Sequence, residues 1–108
     1  MNQNNITQGL LILTAPPSLE ESLIDFLLQQ AEVAGFTTNI VSGHGRNHTQ
    51  GKQPLSIVEQ VAGRQKQVQL MVRNSFLMLQ ALIEALKNAF TDVGIYYVLI
   101  PVADAGVI

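Results

Sequence analysis

The sequence predicts an α+β fold of two layers, with elements in the order β-α-β-β-α-β. Three observations carry that prediction. Four short runs are rich in β-branched and aliphatic residues. Two longer segments repeat apolar residues at helical spacing. Proline and glycine stand between the runs, where the chain must turn. At 108 residues the chain reads as a single domain, 1–108, with a core of modest size.

The first strand is expected over residues 9–14, where Leu10, Leu11, Ile12 and Leu13 are apolar on both faces, as in a strand covered from both sides. Pro16 and Pro17 end it. Ser18 with Glu21 three residues on reads as a capping box, and Glu20 and Glu21 suit the positive end of a helix. Leu19, Leu23, Phe26 and Leu27 then recur at helical spacing, with Ile24 and Leu28 widening the face. A helix is expected over 19–34, with Gly35 as a left-handed residue after its end.

Residues 36–42 alternate as a second strand, Phe36, Thr38 and Ile40 on one face and Thr37, Asn39 and Val41 on the other. A long connection, about 43–63, follows without apolar periodicity in its first half. Residues 55–62 fit a short helix or a strand extension equally in composition, and a short helix or turn is preferred. Lys66, Val68, Leu70 and Val72 form the drier face of a third strand. Asn74 or Ser75 caps a second helix whose buried stripe is Phe76, Leu79, Leu82, Ile83, Leu86 and Phe90. Gly94 turns the chain into a fourth strand over 95–100, and Pro101 limits further pairing. The apolar end, Val107 and Ile108, is expected to dock on a surface.

Composition narrows the function. The chain is 47% hydrophobic and 13% charged, against about 25% charged in ordinary domains. A small domain with so few charges has apolar surface left over, and a subunit interface absorbs it. The longest apolar run, 95–102, is far short of the roughly 20 residues that span a bilayer, so no membrane insertion is expected. Residues 1–8 lack the basic start of an export signal. With no cysteine there is no disulfide or thiolate chemistry, which suits a cytoplasmic setting. A net charge of −2 with six basic residues argues against nucleic-acid binding. No nucleophile elbow, P-loop or HExxH motif is present, so the chain is expected not to be an enzyme.

Two helices with one-sided stripes against four strands make a ferredoxin-like sandwich, with an antiparallel sheet covered on one face. At Gly43-x-Gly45-Arg46 the chain resembles the PII-like group of trimeric signalling proteins, which includes the nitrogen-regulatory PII proteins and the divalent-ion-tolerance proteins. In that group a Gly-x-Gly-Arg segment ends the second strand and opens a long loop. The chain is most similar to an uncharacterised bacterial PII-like family of unknown function that is associated with heavy-metal efflux. The resemblance implies strand order 4-1-3-2, a homotrimer with its sheets toward the three-fold axis, ligand clefts between subunits, and a loop that acts on a partner protein such as a membrane transporter. Thr91-Asp92-Val93-Gly94 stands where nitrogen-regulatory PII proteins carry a second, lysine-bearing phosphate loop, and it has no basic residue.

The candidate site residues follow. Gly43 and Gly45 would let backbone N–H groups approach an anion, or would serve a turn. Arg46, Arg64, Lys66 and Arg73 would supply cations around it, or a solvated rim. His44 and His48 are the two histidines and would be ligands for zinc, copper or nickel if a third donor joins them. The ligand itself, nucleotide or divalent metal, is not specified by these residues. An acylphosphatase-type enzyme shares the element order, but Ala15-Pro16-Pro17 stands where its anion cradle would be. RNA-recognition domains share it too, and the first strand lacks their aromatics.

Overall fold

The computed structural model describes residues 7–44 and 64–108. The 45–63 segment, including the undecided stretch 55–62, lies outside them. Strand β1 (Gln8–Ala15) leads through a 3₁₀ turn (Pro17–Leu19) into helix α1 (Glu20–Leu28). Strands β2 (Phe36–His44) and β3 (Arg64–Ser75), helix α2 (Phe76–Ala89) and strand β4 (Tyr96–Val102) follow. The sheet order is β2-β3-β1-β4 with every neighbouring pair antiparallel, which is the 4-1-3-2 order expected.

Alternation along β1 and β3 places the core. Leu11, Leu13 and Ala15 pair with Val72, Leu70 and Val68, and all six are buried on the helix-facing side. Leu23 and Leu27 of α1, with Leu79, Leu82, Ile83 and Leu86 of α2, close over them. Burying one such side chain is worth about 1.5–3 kcal/mol. The packing of α2 on β1 depends on Gly9. A Cβ there would meet Leu79 and Phe76 side-chain atoms at 3.0 and 3.1 Å. Helix α2 starts where expected: Ser75 Oγ accepts from the Met78 N–H at 3.1 Å and satisfies one of the orphan donors of the first turn.

The first helix differs from the expectation at both ends. Pro17, with its fixed φ and no N–H, opens a 3₁₀ turn closed by the Leu19 N–H on the Pro16 carbonyl, and no side chain caps that turn or α1. The capping box at Ser18 is therefore not formed. The helix stops at Leu28 rather than residue 34. The Gln30 side-chain amide donates to the Phe26 carbonyl, and the Gln30 and Val33 N–H groups turn to carbonyls three residues back. Gly35 lies beyond this exit and is not left-handed; Gly94, with φ 86°, is. Val107 and Ile108, expected to dock on a surface, are fully exposed and pack on none of the described residues.

Both helices cover one face of the sheet. The other face carries Leu10, Ile12, Met71, Val98 and Ile100, with Gln67 and Gln69 beside them. Val98 is 54% and Ile100 39% exposed. No helix among the described residues is long and apolar enough to cross a membrane.

Candidate functional site

The β2–β3 ladder ends at the base of the central connection, with Ser42 opposite Lys66, Gly43 opposite Gln65 and His44 opposite Arg64. Gly43 is neither a turn residue nor left-handed. It sits within β2, and a Cβ there would collide with the Gln67 side-chain oxygen. The missing side chain makes room for an amide crossing from β3. Lys66 and His44 are exposed. The strand thus brings Gly43, His44, Lys66 and the backbone of Arg64 to one end of the molecule.

Arg73 is not with them. It lies seven residues along β3 from Lys66, roughly 23 Å at about 3.3 Å per residue, and odd spacing puts it on the opposite face of the sheet. Its neighbour across the ladder is Leu10. One chain cannot gather Arg73 and Lys66 about a single anion. Gly45, Arg46 and His48 lie outside the described residues. Among the described residues no group of three His, Cys, Asp or Glu side chains is placed to hold a metal.

A second concave region lies where α2 meets β4. Leu13, Ile83, Leu86, Phe90, Ile95 and Tyr97 line a cavity of about 60 Å³, with Lys87 at its edge. The Lys87 ammonium stands 5.5 Å from the Tyr97 ring centre and 3.4 Å from Glu84 Oε2. The hydrogen bond and charge of Glu84 hold Lys87 above its ordinary pKa. Phe90 packs edge-on against Phe26, ring centres 5.6 Å apart, which ties the end of α2 to α1. The adjoining hollow, about 250 Å³, is lined by Phe90, Asp92, Val93, Gly94, Ile95 and Tyr96. Its lining includes no Lys or Arg, the cation an anionic ligand would need. The Lys87–Tyr97 contact is invisible in the sequence as a pair. Only the inward phase of Tyr97, two residues from the inward Leu99, hints at it.

Comparison with solved structures places the fold. A DUF3240 family protein from Shewanella baltica OS155 superposes with TM-score 0.73 at 19% identity, over 94% of this chain and 97% of that one. The periplasmic divalent cation tolerance protein CutA from Archaeoglobus fulgidus gives 0.64 at 12% identity, over 93% and 87%. B. subtilis GlnK, solved in complex with ATP, gives 0.53 at 15% identity, over 87% and 84%. At such identities these likenesses establish the fold, which is PII-like. No curated protein matches the sequence. Residues 6–108 match the model of DUF3240, a family described as proteins of unknown function, and the chain belongs to that family.

Proposed function

We propose that this chain is a non-enzymatic, PII-like regulatory protein. It works as a homotrimer that senses a small ligand between subunits and acts on a partner protein through its central connection. The observation that carries this reading is the open sheet face. Leu10, Ile12, Met71, Val98 and Ile100 form an apolar surface on a sheet whose other side is already filled, and an antiparallel sheet in a soluble monomer would be polar there. The sheets of neighbouring copies around a three-fold axis are the complementary cover. The cysteine-free sequence suits a reducing cytoplasm.

The clefts that such packing creates would lie beside Gly43, Lys66 and Arg64, with Arg46 following in sequence. These are the candidate ligand contacts, and Arg73 joins them only from another subunit. The absence of Lys or Arg from residues 91–94 makes a triphosphate the less suited occupant. The test is a thermal-shift panel on the purified protein with ATP, ADP, inorganic phosphate, dicarboxylates, and Zn, Cu and Ni ions. At a ligand concentration one hundred times Kd, stabilisation is about 2.7 kcal/mol. At least one compound should raise Tm by several degrees, and Lys66→Ala should abolish the effect. A flat panel, together with partner binding that survives deletion of residues 47–61, would overturn the reading.

A further inference from the structure

Granted the trimer proposed above, we infer that the segment after β4 crosses to a neighbouring copy, where its Asp104 pairs with Arg73 on that copy's open sheet face. Alternation puts Arg73 on this face with Leu10 and Met71, and Ile100 lies beyond Leu10 in the same row. Among the described strand residues on the open face, Arg73 alone is charged. It is exposed, and among the described residues no carboxylate pairs with it, its own Asp104 included. Burying that guanidinium against apolar neighbours without a counter-charge is strongly unfavourable, and its planar fork matches a carboxylate. A face that closes on other copies therefore needs an acid brought to Arg73 from outside.

Among the described residues, topology leaves one acid for that place. Glu20, Glu21, Asp25 and Glu84 belong to the helices, which cover the other face. Glu32 is held on the helix side by its carbonyl, which accepts from Asn74 Nδ2. Asp92 precedes β4, at the end of the sheet away from Arg73. Asp104 comes two residues after β4 ends at Val102, and Val102 shares a sheet end with Gln8 and Ser75, two residues from Arg73. A three-fold axis along the strands sets this same end of every copy together. Strand β4 is an edge strand, so the chain leaving it borders the next copy. Asp104 reaches about 7 Å past the strand end and facing sheets lie about 10 Å apart, a gap that an arginine side chain closes. Residues 103–108 are all exposed, and the crossing also offers cover to Val107 and Ile108. Arg73 thereby belongs to the subunit contact rather than to the cleft beside Lys66.

The test follows assembly of the full-length protein by light scattering coupled to size exclusion over a dilution series, in Arg73→Asp, Asp104→Arg and the double variant. Each single variant sets like charges against each other and should raise the concentration at which the assembly dissociates by about tenfold or more. The double variant restores the pair in reverse and should return to within about threefold of wild type. A second readout uses the absence of native cysteine. Arg73→Cys with Asp104→Cys in one chain, once oxidised, should give covalent multimers of the 11.8 kDa chain on a non-reducing gel. A wild-type trimer that both single variants leave unchanged, or that the double variant fails to restore, would overturn the pairing and leave the trimer standing. Weakening by Arg73→Asp alone would also overturn it and make a free anion the counter-charge. So would an oxidised product of one chain's mass, which would place the pair within a chain. A wild-type monomer would overturn the trimer and the pairing with it.

Discussion

Replacing Ser75 by alanine tests the join between the third strand and the second helix. Ser75 ends β3 and caps α2, its Oγ 3.1 Å from the Met78 nitrogen, with φ −59° and ψ 147° as a cap requires. Alanine keeps the backbone but leaves one first-turn donor without its protein partner, a loss of about 1 kcal/mol. For a chain of this length that lowers Tm by about 4 °C. Ser75→Asp keeps an acceptor and adds a negative charge at the positive helix end, so it should lie within a few tenths of a kcal/mol of wild type. Urea unfolding followed by far-UV circular dichroism measures both, at one fixed protein concentration because self-association adds to apparent stability. Unchanged stability in Ser75→Ala, or equal losses in the two variants, would refute the assignment of Ser75 as the cap.

Other substitutions probe the packing. Gly9→Ala forces a methyl to within 3.0–3.1 Å of Leu79 and Phe76 and should cost about 1–3 kcal/mol in denaturant unfolding, although alanine is ordinarily the better strand residue. Leu70 is fully buried between β1 and β2, and Leu70→Ala should cost about 2–5 kcal/mol with an unchanged urea slope. Gly94 has φ 86°, so Gly94→Ala should cost about 1 kcal/mol, whereas Gly35→Ala, in open space at ordinary φ, should be neutral or slightly stabilising by the same measurement.

The elements that showed in the sequence are those whose signals are local. Leu11 and Leu13 against Leu10 and Ile12 announce a strand apolar on both sides, and the stripe Leu79, Leu82, Ile83, Leu86 announces a helix that needs only Ser75 to start it. The end of α1 was hidden because Ala31 and Val33 continue the apolar rhythm and Gly35 looks like a stop. Where the helix ends, the Phe26 carbonyl takes the Gln30 side-chain amide and the Gln30 N–H shifts to the Leu27 carbonyl, contacts that no periodicity records. At the candidate site, Gly43 was expected to open the connection after a strand ending at residue 42, and it lies instead within β2, which runs to His44. The role of Gly43, making room for Gln67, depends on cross-strand register and could not be read. Register also separates Arg73 from Lys66: the two look like one basic set in the sequence and lie on opposite faces of the sheet.

The most direct test of the central claim is the mass of the purified protein at micromolar concentration, by light scattering coupled to size exclusion. The account predicts about 35 kDa, three times the 11.8 kDa chain, and a fall toward the monomer when Val98 and Ile100 are both replaced by lysine. A wild-type mass of one chain, with Val98 and Ile100 tolerating lysine without any change in mass, would contradict it.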